Sequence, residues 1–187
     1  LEPAKPNLDY LRSQLADPSP CWMNFWGKLS ELSELYSNFD KPFERLKQRT
    51  EICEGSIFNL EPSSTDLASM HFVAESITAD EEEFRFACRS FIRSVRPGGS
   101  FIASFMTRSV GYETGQARFP AVFIDNKKIR GAFNIGGINA SIHSITAPPV
   151  REGHGGMSMI IGSVSEERSE IDKQTGLWLT RRSAGRT

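Results

Sequence analysis

Cysteine is scarce: Cys21, Cys53 and Cys88 are the only three in 187 residues. An odd, widely spaced set builds no disulfide framework and no metal-ligand spacing, and it fits a reducing compartment. Histidine is equally sparse. His71, His143 and His154 are scattered, so no metal cluster is legible. No apolar run approaches the ~20 residues needed to cross a bilayer. No signal-peptide pattern is legible either, and the cytoplasm is the expected location. Excess charge is also missing. The 22 basic and 23 acidic residues make no case for nucleic acid or an anionic membrane as partner. Repeats and low-complexity segments are absent. The length is enough for one domain with a real core.

What is present is periodic. Leu8, Tyr10, Leu11 and Leu15 follow Asn7 at helical spacing, with Asn7 as the expected N-cap. Trp22, Phe25, Trp26, Leu29, Leu32 and Leu35 form a second stripe, read as core packing under a lid or cap. Asp40, Phe43 and Leu46 mark a helix to about Arg49. Glu51 to Phe58 reads as a short strand and Leu67 to Ala74 as a strong one. Thr78-Ala79-Asp80-Glu81 is a capping-box pattern opening a helix with Phe84, Ala87, Cys88, Phe91 and Val95 on one face. Cys88 on that face reads as inert packing.

The most informative stretch runs from Val95 to Tyr112. Pro97-Gly98-Gly99 is expected to stop the helix, and Phe101 to Met106 is the apolar run of a buried strand. A second extended run, Phe119 to Ile124, precedes Asp125, which caps a helix burying Ile129, Ala132 and Phe133. Ile138 to Ala147 and Met157 to Val164 close the pattern, separated by a Pro/Gly loop, and are expected as an antiparallel hairpin. Alternating strands and helices predict an α/β fold with a largely parallel sheet. Ligands of such sheets bind beyond the carboxyl ends of the strands, which places a site at Ser109 to Gln116. The expected domain spans 1–164, and 165–187 reads as a charged, poorly ordered tail.

Arg96-Pro97-Gly98-Gly99 before a buried strand, then Tyr112-x-x-Gly115-Gln116-Ala117-Arg118-Phe119, resembles class I S-adenosylmethionine-dependent methyltransferases. Phe72-Val73-Ala74-Glu75-Ser76 leading to Asp80 adds a match in the right order. The closest resemblance is to the nicotinamide and phenylethanolamine N-methyltransferase group, and it runs from Glu2 to about Val164. It implies a Rossmann-like methyltransferase sheet with antiparallel closing strands. It also implies S-adenosyl-L-methionine as cofactor and S-adenosyl-L-homocysteine as product.

The resemblance places Glu2 on the cofactor's ribose and Asn7 beside it. Ser56 and Ile57 fall beside the adenine, Ser56 where the family has Asp. His71 falls near the methionine part, where the family has a small residue; a satisfied strand histidine is the competing reading. Phe72, Glu75, Ser109, Tyr112, Glu152 and His154 fall on the acceptor side. Glu75 and Tyr112 are the expected catalytic pair: a carboxylate that takes a proton or holds a cation, and a ring that orients the acceptor. The competing readings are a solvated strand-end acid for Glu75 and exposed loop charges for Glu152 and His154.

The family's opening strand, Gly-rich turn and helix have no counterpart before Glu2. The expectation is therefore an N-terminally incomplete sheet, the carboxyl-terminal two-thirds of a methyltransferase. Its partner would be a small-molecule acceptor, most simply an amine, with an O-methylated secondary metabolite as the alternative. An inactive interaction module is the reading from a different class. An apolar edge left by missing strands would favour an oligomer.

Overall fold

The structure is a computed structural model that describes residues 5–114, 117–145 and 155–167. The chain divides into two compact units, Leu1–Ser56 and Ile57–Thr187. No helix among the described residues is long and apolar enough to cross a membrane.

The first unit is helical: α1 (Lys5–Ala16), α2 (Pro20–Leu32), α3 (Glu34–Ser37) and α4 (Pro42–Arg49). Asn7 is not the cap of α1. The helix already includes Lys5 and Pro6, because a first-turn proline needs no N–H partner and its fixed φ suits a helix. No residue of the aromatic stripe of α2 is buried; Trp26 alone is half-buried, and its ring meets Tyr36, Phe39 and Phe43 at 5.9, 6.0 and 6.5 Å. Phe25, Leu32 and Leu35 are exposed. The strand expected over Glu51 to Phe58 is absent. A lone bridge at Glu54 and a 3-10 turn at Ile57–Asn59 stand there instead. Gly55 and the polar Glu51, Glu54 and Ser56 break the alternation a strand needs.

The second unit contains β1 (Thr65–His71), α5 (Glu81–Ser94), β2 (Val95–Thr107), β3 (Tyr112–Thr114), β4 (Ala117–Phe119), α6 (Asn126–Phe133), β5 (Ile138–Ile145) and β6 (Gly156–Val164). The main sheet has the order β1-β2-β6-β5, while β3 and β4 form a separate two-stranded sheet. β1 and β2 are parallel and joined by α5. β6 runs antiparallel to both β2 and β5. The closing strands thus form the expected antiparallel hairpin, and the later strand is inserted between β2 and the earlier one. The fold is mixed α/β, with helices α5 and α6 packed on each other and on the sheet.

The Arg-Pro-Gly-Gly segment does not act as the expected helix stop. α5 ends at Ser94, and Val95 already pairs with Thr65. The next pair is Leu67 with Ser100, so Arg96 to Gly99 bulge out of the ladder. Glycine is required at 99: a Cβ there would lie 2.7 Å from Val95 Cγ1 and 2.8 Å from the Asp66 carbonyl oxygen.

The core lies between the sheet and the two helices. Phe84, Phe91, Ile92, Phe101, Phe105, Ile129, Phe133 and Ile160 are all buried. The amphipathic period of α5 delivers Phe84, Ala87, Cys88 and Phe91 to that face, as its sequence predicts.

The cap of α5 is Asp80, two residues beyond the expected Thr78. Asp80 Oδ1 accepts the N–H groups of Glu82 and Glu83, while Thr78 Oγ1 accepts the Asp80 N–H and donates to Glu83 Oε2. Asp80→Ala is expected to lower stability by about 1 kcal/mol. The reading is a lower urea midpoint with an unchanged denaturant slope. At the same helix end, Glu81 accepts hydrogen bonds from Lys128 and Arg85. These two cations hold its carboxyl below the ordinary carboxylate range.

Candidate functional site

The carboxyl ends of β1 and β2 lie side by side because the strands are parallel, with His71 opposite Ser104. Each strand is followed by a non-glycine residue with positive φ: Phe72 at 58° and Arg108 at 54°. Bulky side chains pay of order 1–3 kcal/mol to sit there, and such strain gathers at functional edges. Backbone bonds hold both residues in place. Phe72 N–H donates to the Ser104 carbonyl and Arg108 N–H to the Ile124 carbonyl, each at 2.8 Å. His71 is exposed, with Nδ1 3.0 Å from Ser104 Oγ. That contact sets the ring, and Ser104 itself is buried.

Glu75 is fully buried. Its Oε1 accepts the Met106 N–H at 2.8 Å and its carbonyl accepts the Val122 N–H at 2.9 Å. The residue thus ties the turn after β1 both to the end of β2 and to the segment leading into α6. A solvated strand-end acid is excluded. Its charge also reaches Cys88, whose thiol is pushed well above its ordinary range, first by burial and then by the Glu75 carboxylate. Cys88 is inert packing, as its helix face implies.

Beyond β2, Ser109 is buried and its Oγ faces the Gly111 N–H at 3.4 Å. Tyr112 opens β3 and pairs with Phe119 on β4. The two rings stack at 5.0 Å with 13° between their planes. Ring stacking on a short hairpin leaves one face of Tyr112 committed to Phe119 and fixes the direction of the other.

The structure therefore gathers His71, Phe72, Glu75, Ser109 and Tyr112 around the ends of two adjacent strands. Asn7 is exposed on α1 and Ser56 is half-buried; both belong to the first unit. Ile57 begins the second unit and packs against its core. Glu2, Glu152, His154 and the residues at 115 and 116 lie outside the described residues. No group of His, Cys, Asp and Glu among the described residues is placed to hold a metal ion.

Sequence reasoning missed a polar hollow on the other flank of the β2 end. Its volume is about 360 Å3, and Arg108, Asp125, Asn126, Ser144 and Ser158 line it. Asp125 is legible in the sequence only as a helix cap. Its meeting with Arg108 and with the β5–β6 hairpin depends on the sheet order.

The sequence matches no protein-family model and no curated protein sequence. Among solved structures, the chain is similar to an S-adenosylmethionine-dependent methyltransferase from Methanosarcina mazei. The two are 16% identical over 62% of this chain and 68% of that one, with a TM-score of 0.47. It is also similar to an S-adenosylmethionine-dependent methyltransferase from Clostridium acetobutylicum, 11% identical over 71% and 72% of the two chains, with a TM-score of 0.48. A third likeness is to an O-methyltransferase family protein from Burkholderia thailandensis: 18% identical, 65% of this chain, 37% of that one, TM-score 0.46.

Proposed function

We propose that this chain acts as a class I S-adenosylmethionine-dependent methyltransferase, of the nicotinamide and phenylethanolamine N-methyltransferase group, on a small amine. The observation that carries the reading is the edge just described. Two parallel strands end in strained residues and open onto a loop where Tyr112 is braced by Phe119. In an α/β sheet that edge is the ligand-binding crevice.

The side chains at this edge fit the cofactor's chemistry. Phe72 is partly exposed, and Tyr112 is held rigid by its stacked partner; an aromatic face attracts a cationic centre. His71, with Nδ1 engaged by Ser104, keeps Nε2 for a polar contact. The cofactor, when bound, supplies an electrophilic methyl group on sulfur.

The chain's own contribution is positioning and the exclusion of water. Tyr112 orients the acceptor with its hydroxyl and ring face. Ser109 sets the loop that carries it. Glu75 acts here as a positioning residue, through Met106 and Val122. An amine attacks only when neutral, and Glu152 and His154 are the proposed takers of its proton.

A second reading rests on the outer edge of β1. No strand pairs there among the described residues, and Leu67 is 67% exposed. An open edge of this kind suits association with another chain.

The test is calorimetric titration of S-adenosylhomocysteine into this chain, followed by methyl transfer from S-adenosylmethionine to a panel of small amines and phenols. Saturable binding with methylation of amines is expected, and Tyr112→Ala is expected to lower the rate by about 100-fold or more. Methylation confined to phenols would replace the amine reading with the O-directed one. A stable dimer on size exclusion that takes up no S-adenosylhomocysteine would favour the interaction module.

A further inference from the structure

The hollow lined by Arg108 and Asp125 is separate in its residues from the Ser109–Tyr112 loop, and the methyltransferase reading uses only the backbone of Arg108 and none of the hollow's side chains. We propose that it binds a small zwitterion, a molecule carrying a carboxylate and an ammonium group a few atoms apart, as a free amino acid does.

Four segments meet at this hollow: the end of β2, the start of α6, the end of β5 and the start of β6. Its volume of about 360 Å3 falls within the range of small-molecule sites, ~300–1,000 Å3. Its lining is polar, which disfavours an apolar occupant.

Two opposite charges line it without neutralising each other. Arg12, Lys28, Lys41, Arg85, Arg96 and Lys128 all form ion pairs with acidic side chains. Among the described residues, Arg108 and Asp125 form none, with each other or elsewhere. Both are held by local structure. The positive φ of Arg108 and its N–H bond to Ile124 set where the side chain departs. Its stem then lies against Gly155, where a Cβ would come within 2.8 Å of Arg108 Cδ. The glycine leaves room for that stem. Asp125 is anchored by Oδ1, which accepts the Lys128 N–H at 2.9 Å. Among the described residues Oδ2 has no such commitment.

A hydrogen-bonded chain forms another part of the lining. Ser158 Oγ donates to Asn126 Oδ1 at 2.6 Å, and Asn126 Nδ2 donates to Ser144 Oγ at 3.0 Å. Ser158 is buried, so this chain is part of the framework. Its polarity leaves the Ser144 hydroxyl hydrogen and the second Asn126 amide hydrogen to donate to a ligand oxygen. A guanidinium takes a carboxylate in a two-pronged bond, and a carboxylate oxygen accepts from an ammonium. One molecule bearing both groups satisfies both walls, whereas a plain anion meets Asp125 and a plain cation meets Arg108.

The test is calorimetric titration of the full chain with three probes at matched ionic strength: L-norvaline, sodium pentanoate and butylammonium chloride. L-norvaline carries both charges, and each of the others keeps one. Saturable binding of L-norvaline at least tenfold tighter than either half is expected. Arg108→Gln should weaken L-norvaline at least tenfold. Asp125→Asn, which keeps a good helix cap, should do the same while tightening pentanoate. Either variant alone decides the matter if the other fails to fold by circular dichroism. L-norvaline no tighter than its halves overturns the proposal. So does unchanged affinity in a folded variant, or pentanoate binding as tightly as L-norvaline.

Discussion

Phe101→Ala is expected to cost about 3–5 kcal/mol of folding stability, the range for truncating a fully buried aromatic. Phe101 sits in the middle of β2, opposite Gly162 on β6. Its ring stacks on Phe133 of α6 at 5.7 Å and meets Phe91 of α5 edge-on at 6.2 Å. It therefore joins both helices to the centre of the sheet. The space its ring leaves cannot close easily. Gly162 brings no side chain, and its backbone is already so near that a Cβ would lie 2.5 Å from Phe101 Cζ. Native domains hold only about 5–15 kcal/mol in total, so this single change removes a large share. Urea unfolding followed by circular dichroism reads the loss. Phe123→Ala, at a 54% exposed position, is the control and is expected to stay within about 0.5 kcal/mol of the parent. Equal losses at the two positions would refute the assignment of the core.

The second large effect is at Glu75, where two substitutions should part company. Glu75→Ala removes the acceptor of the Met106 N–H and leaves a void at a fully buried position. A loss on the order of 3 kcal/mol is expected from the stranded donor and the cavity together. Glu75→Gln keeps a carbonyl oxygen in place of Oε1 and nearly the same volume. It is expected to hold stability within about 1 kcal/mol. The same variant separates positioning from proton transfer. If Glu75 acts through the strand ends it joins, Glu75→Gln retains methyl transfer within about tenfold and its pH–rate profile overlays the parent's. A fall of about 100-fold or more with the fold intact would instead give Glu75 the acid–base role.

The helical and strand elements of the second unit were largely legible. Phe84, Ala87, Cys88 and Phe91 repeat at helical spacing, and α5 buries them. Asp125 caps α6 where its position before Ile129, Ala132 and Phe133 implies. Local periodicity suffices there because each element buries one face. The misreadings have two causes. Arg96 to Gly99 has the composition of a helix-stopping turn, yet it forms a bulge because β1 lies alongside and Val95 is drawn into the ladder by Thr65. Asn7 has the chemistry of a cap, but Pro6 is equally at home in a first turn, so the helix starts earlier. A neighbour in space decided the first case and a neighbour in the chain the second.

The candidate site was legible as a place rather than as a geometry. Reading the strand ends singled out Ser109 and Tyr112, the methyltransferase resemblance added His71, Phe72 and Glu75, and parallel pairing puts the ends of β1 and β2 side by side. The stacking of Tyr112 on Phe119 follows from a short hairpin register that composition does not display.

By itself, the sequence determined the amphipathic helices, the apolar strands and the antiparallel closing pair, because each is written in the spacing of residues near one another in the chain. Only the tertiary structure decided that Glu75 is sealed inside, that Phe72 and Arg108 turn through positive φ, and that Arg108 and Asp125 line one polar hollow. Those outcomes depend on Met106, Ile124 and Gly155, which come to these residues through the sheet order. That order is set by which strands bury the most surface together, a sum over the whole core that no local stretch contains.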